Sequence, residues 1–303
     1  LATTVFSLIS SKYYFIFIKN TKYKFQLNLY PIIAGNFMLD GGAMFGVVPK
    51  SIWQKTNPSD SNNMVKIAAR CLLIEDRDKL ILIDVGMGNK QSEKFFSYYH
   101  CWGEESLESS LKKYGFHADD VTDVFLTHLH FDHCGGSVIR SGENTFETTF
   151  KNAKYWSNES HWDWATSPNK RESASFLKEN INPIMESGQL NFLKKDPNSY
   201  LTSTPLGFEI LFVDGHTEKQ MIPLINYKGQ KIAFGADLIP TAGHIPLPYI
   251  PGYDIRPLVS LKEKELFLNF CHKNDVFLFF EHDANIEVAT LQKNEKGVRW
   301  KKH

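Results

Sequence analysis

One stretch limits what this chain can fold into more than any other: Thr127-His128-Leu129-His130-Phe131-Asp132-His133-Cys134-Gly135-Gly136. It holds three imidazoles and a carboxylate within six residues, followed by two glycines. His128, His130 and Asp132 alternate, so a turn leaving a strand can aim them at one point. Imidazole nitrogen together with carboxylate oxygen suits divalent zinc and its neighbours. Residues 121–126 read as a short strand that ends at these side chains. The glycine pair allows a tight turn behind them. We therefore expect a metal centre rather than a chance cluster of surface histidines.

Residues of ligand type recur elsewhere in the same setting. Residues 208–213 read as a strand ending in Asp214-Gly215-His216-Thr217. A strand over 231–234 ends in Gly235-Ala236-Asp237, and one over 275–280 ends in Glu281-His282-Asp283. Upstream, apolar strands over 67–74 and 80–83 flank a charged turn, and the second ends in Ile83-Asp84-Val85-Gly86-Met87-Gly88. Residues 24–31 alternate with the period of a half-buried strand. In residues 37–49 the Asp40-Gly41-Gly42 signal predicts a hairpin or bent loop, with Met44 and Phe45 near its tip as core or pocket lining. Helices are expected over 106–114, stopped by Gly115, and over 260–270. A helical region from residue 158, broken near Pro168, runs to about residue 184, with Phe176, Leu177 and Ile181 on its apolar face.

Composition narrows the function classes. The formal net charge is zero, from 34 basic and 34 acidic residues, which argues against nucleic-acid binding through a bulk positive field. The four cysteines (Cys71, Cys101, Cys134 and Cys271) form no CxxC pair. Such usage fits free thiols in a reducing compartment, so we expect a cytoplasmic protein and leave export open. Near the N-terminus, apolar residues 5–9 and 13–18 are divided by Lys12, too short and interrupted for a transmembrane helix. We expect residues 1–23 to be an arm or leader remnant and residues 24–303 to be one domain. The aromatic N-terminal residues point to a homodimer.

The HxHxDH run with its Gly-Gly, together with the strand-ending Ile83-Asp84-Val85-Gly86-Met87-Gly88, resembles the signature of the metallo-β-lactamase superfamily. The resemblance implies an α/β fold, a four-layer αββα sandwich of mixed sheets, with the helical excursion over the active site. It also implies two divalent metal ions, most simply zinc. His128, His130 and His216 match the imidazoles of the first metal. Asp132, His133 and His282 match the second metal, and Asp237 the carboxylate that bridges both. Asp84 then serves as a hydrogen-bond partner behind the ligands, the alternative being a helix N-cap. Cys134 reads as a small buried residue and His161 as packed rather than coordinating.

The run Ala236-Asp237-Leu238-Ile239-Pro240-Thr241-Ala242-Gly243-His244, with Tyr253-Asp254 behind it, narrows the resemblance to N-acyl-homoserine lactonases and methyl-parathion-type hydrolases. With Asp40-Gly41-Gly42-Ala43-Met44-Phe45-Gly46 included, the chain is most similar to AidC-type quorum-quenching lactonases. That implies opening of an acyl-homoserine lactone by a metal-bridging hydroxide, with Asp132 guiding the proton and the small acyl lactone as partner. Many lactonases of this family place a Tyr three residues after the bridging Asp, where this chain has Pro240. His244 or Tyr253 is expected to reach the lactone carbonyl instead, and Met44 and Phe45 to hold the acyl chain. Hydrolysis of an organophosphate triester is the alternative. A β-lactamase, a thiolester hydrolase and a non-catalytic metal-binding protein rank lower.

Overall fold

The computed structural model describes residues 27–301. The arm or leader expected over 1–23 lies outside them, as does the start of the strand expected over 24–31. Strand β1 (Asn28–Asp40) pairs antiparallel with β2 (Met64–Asp76), from Asn28 opposite Glu75 to Asp40 opposite Met64, with a bulge between Ile33 and Gly35. Between them lie two short helices, α1 (Gly41–Phe45) and α2 (Lys50–Trp53). The hairpin or bent loop expected over 37–49 is not what forms. The Asp40 carboxylate accepts from Ala43 N at 2.9 Å and caps α1, so Asp-Gly-Gly starts a helical turn. Gly41 lies against the Trp53 ring, where a Cβ would come within 2.2 Å of it.

Strand β3 (Lys79–Ile83) returns from β2 through Arg77, whose φ is +58°. Helices α3 (Glu93–Ser97) and α4 (Leu107–Lys113) follow, the latter capped by Ser106. Next come β4 (Asp123–Phe125), α5 (Phe131–Cys134) and a hairpin of β5 (Val138–Arg140) with β6 (Phe146–Thr148). Strand β7 (Lys154–Ser157), helices α6 (Glu159–Thr166) and α7 (Lys178–Glu186) and strand β8 (Leu190–Phe192) complete this half. One sheet of the described residues runs β1-β2-β3-β4-β7-β8, with its last four strands parallel.

The second half contains β9 (Thr202–Ser203), β10 (Glu209–Val213), β11 (Gln220–Tyr227), β12 (Gln230–Phe234), α8 (Pro257–Lys273), β13 (Phe277–Phe279), β14 (Val288–Asn294) and β15 (Gly297–Lys301). Its sheet runs β15-β14-β13-β12-β11-β10-β9, with β12 and β13 parallel and the other pairs antiparallel.

The sandwich follows from which faces are apolar. Residues 67–74 of β2 are buried on both sides, the pattern of a strand covered above and below. Leu72, Ile74, Ile81, Ile83 and Phe125 face the second sheet and pack with Ile210, Phe212, Phe234 and Leu278, while Phe267 and Leu268 of α8 close that core. Cys71, Leu73, Leu82 and Val124 face the other way, onto Leu111 of α4 and Ile181 and Ile184 of α7. The order is therefore helix, sheet, sheet, helix. No helix of the described residues is long and apolar enough to cross a membrane.

Candidate metal centre

The site is built where strands of both sheets end at one rim of the sandwich. β3 ends at Ile83, and Asp84 takes φ +54°, a backbone state that costs a non-glycine residue about 1–3 kcal/mol. This turns its carboxylate into the rim, where it accepts from Thr127 N (2.8 Å) and Thr127 Oγ1 (2.6 Å). The backbone leaving β4 is thereby held in place. Ala236, at φ +41°, makes a similar turn just before Asp237. His128 and His130 lie on the extended segment after β4, whereas Asp132 and His133 project from the single turn of α5. Leu129 N between the first two donates to His161 Nε2 at 2.8 Å. His161 is thus packed, and it braces the loop.

The glycine pair has a different reason from the one its sequence suggests. Gly135 has φ −58°, open to any residue. A Cβ there would sit 2.1 Å from Met87 O, and one on Gly136 would sit 2.1 Å from Val85 O. Close backbone approach between the two motifs, rather than a tight turn, is what requires glycine.

The seven side chains expected at the metals converge. His128 Nε2, His130 Nδ1 and His216 Nε2 lie 3.1–3.3 Å apart. Asp237 Oδ2 is 3.2 Å from His216 Nε2. On the other side His133 Nε2 and His282 Nε2 are 3.2 Å apart, and Asp237 Oδ1 lies 3.5 and 3.1 Å from them. Asp132 stands 3.9 and 3.8 Å from the same two nitrogens. Asp237 Oδ1 is buried and makes no aligned hydrogen bond. Within each set the donor atoms lie within 4.8 Å of one another. Converging imidazole lone pairs beside carboxylate oxygens are the donor chemistry of divalent cations of the zinc type, and these residues fit such ions.

Behind every imidazole the far nitrogen is occupied. His133 Nδ1 donates to Asp84 Oδ2 (3.0 Å), His216 Nδ1 to Asp254 Oδ1 (3.0 Å), and His282 Nδ1 to Ala68 O (2.8 Å). His130 Nε2 meets Glu172 Oε1 at 3.2 Å, and His128 Nδ1 meets Thr127 Oγ1 at 3.0 Å. Asp84 is therefore the hydrogen-bond partner expected and caps no helix. Glu172, Asp254 and Glu281 escape sequence reasoning as members of this layer. Glu172 lies in a polar run with no periodicity; Asp254 and Glu281 stand beside residues already singled out. Glu281 Oε2 lies 3.0 Å from His133 Nδ1, and burial pushes this carboxyl up to about 8. Burial, reinforced by the neighbouring imidazoles, holds His128 well below its usual range and so neutral. Burial opposes the charge on Asp237, but His216, His133 and His282 outweigh it and keep the carboxylate ionised. Burial pushes the Cys134 thiol up to about 12, and its Sγ donates to Leu129 O, so it is not a thiolate.

Five of the seven donors, His130, Asp132, His216, Asp237 and His282, line a cavity of about 560 Å³, walled by Leu39, Tyr99, Phe131, Arg171 and Tyr253. Tyr253 packs edge-on to His216 with ring centroids 5.5 Å apart, and no described residue hydrogen-bonds its hydroxyl. The other three expected substrate contacts are corrected. His244 is fully buried, with Nδ1 on Thr241 Oγ1 (2.8 Å), Nε2 on Met44 O (2.9 Å) and its ring stacked on Phe45. It has no free atom for a ligand. Met44 and Phe45 are also fully buried, Phe45 between His244 and Trp53, and neither lines the cavity.

Comparison with known proteins agrees with this architecture. Among solved structures, a probable metal-dependent hydrolase from Staphylococcus aureus superposes with TM-score 0.81 at 26% identity, covering 93% of this chain and 99% of that one. AidC, a dizinc quorum-quenching lactonase solved with a product, superposes with TM-score 0.74 at 22% identity, covering 93% and 97%, a likeness of fold. An N-acyl homoserine lactonase of Bacillus cereus is 27% identical over 119 residues, 36% of this chain. The match spans 43% of that lactonase, less than half its length. The family model described as "Metallo-beta-lactamase superfamily" matches residues 67–269, well over half of the chain, and the chain belongs to that superfamily.

Proposed function

We propose that this protein is a hydrolase that uses two divalent metal ions, zinc in the simplest case, to open the lactone ring of N-acyl-homoserine lactones. The observation that carries the reading is the pair of donor sets meeting at Asp237 on the floor of an open cavity. His128, His130 and His216 with Asp237 Oδ2 would hold one ion; Asp132, His133 and His282 with Asp237 Oδ1 would hold the other. Bound there, the ions would supply Lewis acidity toward the carbonyl oxygen and bring the pKa of water toward neutrality. The remaining work falls to the chain. Asp132 opens into the cavity and takes the proton of the attacking water. It returns that proton to the ring oxygen as the C–O bond breaks, giving the open hydroxy acid. The free Tyr253 hydroxyl donates to the lactone carbonyl, replacing the Tyr that many lactonases carry where this chain has Pro240. Tyr99, Phe131 and Leu39 give the cavity the partly apolar wall that an acylated ring needs. The partial match to lactonases in sequence supports this choice of substrate.

The test is zinc-loaded protein assayed for proton release on hexanoyl-homoserine lactone and for phenolate release on a paraoxon-type triester. Lactone opening with slow triester turnover is expected. Asp237→Asn should lose bound metal and activity together. Activity surviving without metal overturns the mechanism, and triester turnover in excess of lactone opening makes the protein an organophosphate hydrolase instead.

A further inference from the structure

A second depression of about 610 Å³ adjoins the catalytic cavity, and Gly46, Arg171 and Gly252 line both. The boundary between them is bare backbone. A Cβ on Gly46 would lie 3.3 Å from Gly252 Cα, and one on Gly252 would lie 3.1 Å from Gly46 Cα. Gly252 N donates to Ala43 O at 2.8 Å, tying the two loops together. Arg171 Nη2 donates to Gly252 O at 2.7 Å and pins this saddle from the side of the helical excursion. With no side chain on either glycine, the saddle stays low. Beyond it the lining is almost entirely apolar: Val47, Ile250, Ile255, Leu258 and Leu261. Val47 is 98% exposed and Leu258 80%, and with Ile250, Ile255 and Leu261 they line one depression, the kind of contiguous apolar surface that marks a binding groove.

We propose that this groove holds the distal part of a long alkyl tail, which leaves the catalytic cavity over the Gly46–Gly252 saddle. The protein then selects lactones with long acyl chains. The inference rests on the lactonase reading and refines it to a substrate class. Continuity with the catalytic cavity favours the substrate's own tail as the occupant over a separate partner. An unbranched hydrocarbon is also the group that a floor of glycine backbone followed by an aliphatic wall can take up without leaving polar atoms unpaired.

The experiment compares kcat/KM of the zinc-loaded full chain on butanoyl-, hexanoyl-, decanoyl- and dodecanoyl-homoserine lactone, for the natural protein and for Val47→Asp and Leu258→Asp. Both positions are exposed, and an acid in the first turn of α8 suits the helix N-terminus, so folding is preserved. The natural protein should gain roughly fourfold per methylene that enters the groove. Each variant should lose tenfold or more on the two long substrates, through KM, with butanoyl rates unchanged. Butanoyl opening with long-chain rates equal in all three proteins overturns the groove alone. Absence of lactone opening by the natural protein overturns the lactonase reading and the groove with it. A loss of dimer in Leu258→Asp by light scattering, with unchanged kinetics, gives the groove to a second copy of the chain and overturns the proposal.

Discussion

At the residue scale, the decisive feature is that each of the five imidazoles has its far nitrogen engaged by a neighbouring group of the chain. This sets ring orientation and tautomer, which in such sites is worth 10–100-fold in metal affinity. Glu172→Gln and Asp254→Asn should each weaken zinc retention by about that factor, read by competition with a chromogenic chelator. Unchanged affinity in both would remove these carboxylates from the site. Lys264 carries a pH prediction. It is 1% exposed on α8, its Nζ donates to Pro246 O and Tyr249 O, and burial pushes its pKa down from 10.5 to about 7. Between pH 7 and 10.5 the unfolded chain binds a proton that the folded chain does not. Stability therefore rises with pH across that window, and it is lost again as pH falls toward 7. Lys264→Met removes this dependence. The Tm of the variant minus that of the natural protein should be highest near pH 7 and fall toward pH 10; a difference that does not vary with pH contradicts the assignment.

At the scale of elements, the site depends on two backbone segments lying in contact. The loop after β3 and the turn of α5 meet through Gly136 N donating to Gly86 O at 2.9 Å, with Gly135 over Met87 O. Gly135→Ala forces a methyl group into carbonyl oxygen, and backbone cannot yield as a flexible side chain can. A loss of about 1–3 kcal/mol is expected from such overpacking. Weaker zinc binding should accompany it, since Asp132 and His133 ride on α5. Denaturant melts and metal titration of the same variant check both; a fully stable variant would show that the contact is soft. Sequence pattern located β2, β3, β4, β10, β12 and β13 because these strands are largely buried and read as apolar runs, and it missed the short or exposed β5, β6, β8, β9, β14 and β15. It failed at α1, where Asp-Gly-Gly signals a turn equally well for a hairpin and for a capped helix. The Trp53 ring against Gly41 is what favours the helix. It also left β11 unassigned, since Pro223 interrupts the pattern although it sits in register opposite Ile210.

At the scale of the whole molecule, ligands from β4, β10, β12 and β13 meet only because the two sheets are packed face to face. Cation binding should therefore stabilise the entire sandwich. Ligand at a thousand times its dissociation constant adds about 4 kcal/mol to a state that alone binds it. Zinc should raise Tm and a chelator reverse the rise, and Asp237→Asn should shrink the shift, all readable by differential scanning fluorimetry. A Tm indifferent to metal would separate the site from the fold.

The sequence by itself determined the α/β class and the placement of His128, His130, His216, Asp237 and His282 just past strand ends, with Asp132 and His133 in the turn that follows; it offered Asp84 as a hydrogen-bond partner or a helix cap. These are legible because ligand chemistry needs particular residue types and strand ends are marked by local turn signals. Only the tertiary structure decided that His244, Met44 and Phe45 stack into the interior while Tyr253 lines the cavity, that Glu172 and Asp254 stand behind His130 and His216, and that Gly46 meets Gly252. The reason is physical. Burial and pairing between residues far apart in the chain depend on how the layers pack, and neither periodicity nor local propensity records that.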